Sequence, residues 1–194
     1  MQGSITSIPN KESKARGFTI VELLIVIVVI GILAAITIVA YNGIQTRAEN
    51  AKTTTAVGEY VKGILSFSVL NGNYPIVASD CLGTNTPQTK CGNMTDTTSP
   101  CGGTAGPYYS SLAFDTSMKQ IFSGNMPQPS AQVMNCGGKM YSGAFYYGGD
   151  GKNAQVWYFV RGNQACSGIG GVVSYWRGQQ DDTTQCGAYL PILP

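Results

Sequence analysis

The chain contains no histidine, and only 11% of its 194 residues are charged. Without an imidazole the common Ser-His-Asp and Cys-His nucleophilic arrangements cannot be built, and most metal sites lose their usual ligand. The six cysteines, Cys81, Cys91, Cys101, Cys136, Cys166 and Cys186, include no CxxC pair, so zinc would have to be held by thiolates alone, without their normal close spacing. Lys and Arg total 12 against 10 Asp and Glu, with no basic cluster, which leaves no footprint for sequence-independent nucleic-acid binding. The expectation is a non-enzymatic chain with no cofactor, no metal and no direct nucleic-acid partner.

Charge is scarcest where the chain is most apolar. Lys11, Glu12, Lys14 and Arg16 stand before Gly17, and the 24 residues from Phe18 to Tyr41 then carry Glu22 as their only charge. As a helix at ~1.5 Å per residue this run extends about 36 Å, enough to cross a hydrocarbon core of about 30 Å. A carboxylate at the centre of such a segment costs roughly 2.5–3.5 kcal/mol on insertion scales, so Glu22 needs a partner. A secretory signal places its cleavage residue after the apolar stretch, whereas the small residue here, Gly17, precedes it. Cleavage after Gly17 would keep the helix and expose an α-amino group on Phe18, positively charged over much of the neutral range. That cation would lie one helical turn from Glu22 of the same chain, or close to Glu22 of a neighbouring copy.

The stretch Arg16-Gly17-Phe18-Thr19-Ile20-Val21-Glu22-Leu23-Leu24, followed by Gly31-Ile32-Leu33-Ala34-Ala35-Ile36, resembles the amino-terminal signature of type IV pilins and the related pseudopilins. The resemblance runs over about residues 14–75, where it also takes in Gly72 and Tyr74-Pro75. It implies that a membrane-embedded prepilin peptidase cuts after Gly17, that Phe18 becomes an N-methylated terminus, and that Glu22 registers each subunit during assembly. It further implies the partners: other copies of the chain in a helical filament, the peptidase, the pilus assembly machinery, and a membrane before assembly. The subunit would pass from the cytoplasmic membrane to an extracellular pilus. The physics agrees, because a filament interior is as dry as a bilayer, and a neighbour's ammonium relieves the penalty on a buried carboxylate. One position departs from the pattern: where many pilins carry a helix-breaking proline, Thr37-Ile38-Val39-Ala40 has Val39. Melting of the helix there would have to rely on Gly31, the β-branched Thr37, Ile38 and Val39, and Asn42-Gly43.

Cleavage after Gly17 leaves 177 residues with 9 basic and 9 acidic side chains, enough for one compact domain beyond the apolar helix. Ile44, Ala48, Ala51, Val57, Tyr60, Val61, Ile64 and Leu65 fall close to the i, i+3, i+4 spacing of one buried face, so residues 42–75 read as the amphipathic second half of the helix and a closing turn. Residues 76–138 read as a loop-rich, stapled region with one short helix from Leu112 to Phe122. Strand composition appears at Lys139 to Tyr147, Gln155 to Arg161 and Gly171 to Arg177, with Gly148-Gly149-Asp150-Gly151-Lys152-Asn153 as a turn. The expected organisation is a leader at 1–17, a transmembrane or filament-core helix at 18–41, and a head at 76–194. The expected fold class is α+β, a long helix packed against an antiparallel meander spanning 139–177.

Cysteines beyond a membrane segment favour disulfides, and six of them allow 15 pairings. By resemblance to pilins that close a carboxy-terminal loop, Cys166 is expected with Cys186; Cys81 with Cys91 and Cys101 with Cys136 are the further expectations. Asp181-Asp182 with Thr183 and Thr184, or the Asp150 turn, offers oxygens to calcium but lacks the ligand count of a calcium loop. The aromatic residues Tyr108, Tyr109, Tyr146, Tyr147, Trp157, Tyr158, Tyr175 and Trp176 fit an adhesive platform less well than strand packing. The function expected is a structural pilus subunit serving adhesion, twitching motility or DNA uptake. The alternatives are a minor pilin, a type II secretion pseudopilin, or a single-pass anchored adhesin that keeps its leader.

Overall fold

The computed structural model describes residues 17–83, 90–93, 108–132 and 134–194. The chain forms two compact units that divide between Gly43 and Ile44, and one helix, α1 (Ile20–Asn71), contributes to both. In the first unit every residue from 17 to 43 is exposed. This part of α1 is long and apolar enough to cross a membrane, with a mean hydropathy of 3.3 in its most apolar window. A helix is the form such a segment requires, because hydrocarbon offers no partner to an unpaired backbone N–H or C=O. The helix continues through Gly31 and Val39, and the Thr37 hydroxyl is satisfied internally by donating to Ala34 O at 2.9 Å.

In the second unit α1 becomes one-sided. Its buried residues, Thr53, Ala56, Val57, Tyr60, Val61, Gly63, Ile64 and Ser68, recur every three or four positions, which is the stripe that packs on a core. The helix stops at Gly72, whose φ of +74° only glycine adopts without penalty, and whose N–H donates to Ser68 O at 2.8 Å.

Five antiparallel strands face this stripe: β1 (Asp80–Cys81), β6 (Ala144–Tyr147), β7 (Gln155–Arg161), β8 (Ser174–Gln180) and β9 (Thr183–Tyr189), in the order β1-β6-β7-β9-β8. A second sheet, in the order β3-β2-β5-β4, is built from β2 (Lys90–Asn93), β3 (Tyr108–Tyr109), β4 (Met134–Cys136) and β5 (Lys139–Ser142). The helix α2 (Leu112–Phe122) starts at Ser111, whose side chain accepts from Phe114 N, and ends at Ser123 in the left-handed region. Alternation along β7 sorts two cores. Val156, Tyr158 and Val160 join Val57, Tyr60, Val61 and Ile64 of α1 and Phe114 and Met118 of α2. Trp157 and Phe159 point the other way, into a cluster with Tyr141, Phe145, Met134 and Cys136.

The larger sheet is antiparallel, but it is not the simple meander expected over 139–177. β9 inserts between β7 and β8, so the sheet extends to Tyr189. β9 reads Thr-Thr-Gln-Cys-Gly-Ala-Tyr, and its buried faces lack the large apolar residues by which a strand is ordinarily recognised. The run from Lys139 to Tyr147 is two strands in two sheets, broken at Gly143 with φ +71°. The region 76–138 holds β1 to β4 and α2 as well as loops.

One side chain seats the helix on the sheet. Asn50 of α1 donates from Nδ2 to Arg161 O at 2.8 Å and accepts Arg161 N–H on Oδ1 at 2.9 Å, so it satisfies both main-chain groups at the end of β7. The Arg161 side chain pairs with Asp182 at 3.3 Å, while Gly162 N–H donates to Asp182 O. Helix, β7 and the β8–β9 turn are thus joined within a few residues.

The core also contains acids. Asp80 is fully buried and accepts Ser111 N–H at 3.0 Å on each oxygen, together with the Ser111 hydroxyl. Asp115, on the first turn of α2, is 3% exposed, and its Oδ1 has no partner among the described residues. Burial pushes the Asp80 carboxyl up to about 6; the Ser111 donors oppose that rise, and Asp115 adds to it. Burial also raises Asp115, against the pull of Lys119. The same burial raises the Tyr60 phenol, whose oxygen accepts Gly83 N–H at 2.9 Å.

Two outcomes follow. Asn50→Ala removes two hydrogen bonds and strands half-buried backbone groups, so it should destabilise the head by about 2 kcal/mol, read by chemical denaturation of the full chain in detergent. For Asp80, the folded carboxyl holds a proton that the unfolded one releases between about pH 4 and pH 6, so its contribution to stability falls as pH rises through that window. Wild-type stability measured relative to Asp80→Asn should therefore decline between about pH 4 and pH 7, and a difference that stays flat over that range contradicts this account.

Candidate functional site

Gly17, Phe18 and Glu22 lie together at the start of the first unit. Gly17 to Thr19 are non-helical, and the helix begins at Ile20. The Gly17–Phe18 junction therefore lies outside the helix, and Phe18 is 84% exposed. The leader residues 1–16 lie outside the described residues.

What stops the helix at Ile20 is a reciprocal pair. Thr19 N–H donates to Glu22 Oε2 at 2.8 Å, and the Thr19 hydroxyl donates to the same oxygen at 2.7 Å. In return Glu22 N–H donates to Thr19 Oγ1 at 3.2 Å. This is a capping box, in which two orphan donors of the first turn are satisfied by side chains three residues apart. The carboxylate also sits at the positive end of the helix dipole. Sequence reading placed Glu22 as the lone acid and missed Thr19, although the spacing Thr19-x-x-Glu22 before an apolar run is itself the signal. Glu22 Oε1 receives no donor among the described residues.

The structure joins Cys81 to Cys91 and Cys166 to Cys186. Cys136 is disulfide-bonded as well; Cys101, the partner expected for it, lies outside the described residues. The loop closed by Cys166 and Cys186 is held on the helix side of the sheet. Tyr175 OH accepts Ile169 N–H at 2.8 Å and donates to Ile169 O at 2.9 Å.

The oxygens weighed for calcium are engaged by the protein. Asp150 accepts Lys152 N–H and Asn153 N–H at 2.9 Å each and the Asn153 amide at 2.9 Å, donors that hold its carboxyl down to about 2. Asp181 accepts Gly137 N–H at 2.6 Å, and Asp182 pairs with Arg161. The Thr183 hydroxyl donates to Asn135 O at 2.7 Å and that of Thr184 to Gly162 O at 2.6 Å. Of the aromatic residues considered for adhesion, Tyr146 and Tyr158 are buried in the helix-side core and Trp157 lies among Phe145, Trp176 and Tyr189, whereas Tyr147 is exposed; the side chains of Tyr108 and Tyr109 lie outside the described ones. Gly187 makes room for that indole, since a Cβ there would stand 2.8 Å from it.

Comparison with known proteins falls on the same amino-terminal segment. Residues 13–38 match the family described as the prokaryotic N-terminal methylation motif. The chain is 50% identical over 48 residues to fimbrial protein Q of Moraxella bovis, a match covering 25% of this chain and 29% of that protein. No solved structure matches. An N-terminal methylation motif thus opens the long apolar helix, and the continuation of that helix packs on an antiparallel sheet, which gives the chain an α+β, pilin-like fold.

Proposed function

We propose that this chain is a structural subunit of a type IV pilus filament. The observation that carries the reading is the single acid, Glu22, in the first turn of a helical stretch that is otherwise apolar and uncharged as far as Tyr41, just beyond the non-helical Gly17–Phe18 junction. Prepilin peptidase cuts that junction, residues 1–17 leave, and Phe18 is N-methylated. The helix from Phe18 to Tyr41 holds the subunit in the cytoplasmic membrane. The assembly machinery then transfers it into a filament whose core is made of these helices from many copies. The similarity to a fimbrial protein over 48 residues supports the assignment.

The role is one of assembly, not catalysis. In membrane and filament alike the surroundings are dry, and a carboxylate there is stabilised only by a partner. A neighbour's Phe18 ammonium supplies one, and pairing occurs only when an entering helix stands at the correct axial level. Glu22 therefore acts as the registration group. The second unit forms the part of the subunit exposed at the pilus surface, braced by its disulfides.

Protein sheared from cells tests the assignment. Its mass should correspond to a chain starting at Phe18, about 14 Da heavy from one methyl group, and intact Met1 confined to the membrane fraction would contradict it. Glu22→Ala should be processed and inserted normally, yet give roughly tenfold less filament or lower, the effect of about 1.4 kcal/mol per subunit addition. Normal filament yield from that variant removes the registration role.

A further inference from the structure

We propose that Thr19 is a positioning residue for filament assembly, holding the Glu22 carboxylate so that one of its oxygens is taken and the other is presented to the incoming subunit. This rests on the filament reading above and extends it to a residue with no charge of its own. Both Thr19 donors, its backbone N–H at 2.8 Å and its hydroxyl at 2.7 Å, converge on Glu22 Oε2. Oε1 receives no donor among the described residues, and Glu22 is exposed on the helix surface. A carboxylate has about four lone-pair positions, so two donors on one oxygen leave the other able to accept an ammonium.

The consequence is twofold. In the membrane, the box supplies two hydrogen bonds to a carboxylate that hydrocarbon cannot solvate, so the subunit can wait there before assembly with its acid partly satisfied. During assembly, the same bonds fix a side chain that otherwise turns about several bonds, so its free oxygen meets the neighbour's amine without first being ordered. The hydroxyl is the part that only Ser or Thr can supply. Valine has the same shape as threonine and lacks the donor, whereas serine keeps the donor and lacks the methyl.

The experiment compares Thr19→Val, Thr19→Ser, Glu22→Ala and the double variant Thr19→Val/Glu22→Ala as full-length chains in the native host. It reads processing to Phe18 by mass, the membrane pool, and sheared filament. Thr19→Val should be processed normally but yield roughly tenfold less filament, Thr19→Ser should restore the yield, and the double variant should be no worse than Glu22→Ala alone. Normal filament from Thr19→Val beside defective Glu22→Ala overturns the positioning role and leaves the registration reading standing. Normal filament from both removes that reading and this inference with it. Failure of Thr19→Ser to rescue, failure of Thr19→Val to be processed, or an additive double variant each overturns the proposal, because each assigns Thr19 a role other than through Glu22.

Discussion

The pair of hydrogen bonds between Asn50 and the main chain of Arg161 is the junction on which the head depends. An asparagine amide presents a donor and an acceptor side by side, the same arrangement that a neighbouring strand offers, so it completes the end of β7 as a strand would. Once that point is held, the stripe of α1 lies over alternate residues of β7: Val57, Tyr60, Val61 and Ile64 share one core with Val156, Tyr158 and Val160. The next links follow from the same place. Arg161 reaches Asp182, Gly162 N–H meets Asp182 O, and the Thr184 hydroxyl returns to Gly162 O. These contacts set the start of β9 against the end of β7, with Arg161 opposite Thr183. The Cys166–Cys186 disulfide then ties the intervening loop to the middle of β9.

How much of this was legible in the sequence depended on whether apolar side chains carried the pattern. The 18–41 run, the one-sided continuation of α1 and the span of α2 are each marked by the spacing of large apolar residues, and the structure has helices there. β7 was legible for the same reason. β9 was not, because it is buried through Thr183, Thr184, Gln185, Cys186 and Gly187. The Thr183 and Thr184 hydroxyls donate to Asn135 O and Gly162 O, and Gly187 leaves room for Trp157, neither of which composition records. The rest of the second sheet beyond β5, which falls in the expected Lys139–Tyr147 run, was hidden by length, since β2, β3 and β4 hold two to four residues each and offer no period to count. Where β9 inserts is a matter of topology, which local pattern does not encode. At the amino terminus the reverse holds. Gly17, Phe18 and Glu22 stand out because their chemistry is so unlike their surroundings, whereas Thr19 passed unnoticed because a threonine beside an apolar run looks unremarkable until its partner three residues on is considered.

Two carboxylates in this chain are held by a hydroxyl at the head of a helix, Asp80 in the core and Glu22 on the apolar stretch of α1. Ser111 begins α2 and donates its N–H and its hydroxyl to Asp80. Thr19 begins α1 and donates the same two groups to Glu22. The local chemistry is alike, but its consequence differs with what surrounds the second oxygen. Asp80 is enclosed, receives Ser111 N–H on both oxygens, and has Asp115 for a neighbour, so its charge is a cost that the fold bears and that a proton relieves. Glu22 stands on an open surface with one oxygen unoccupied, so its charge remains available to a group arriving from outside the chain. On the filament reading proposed above, that remaining capacity is what an incoming subunit engages.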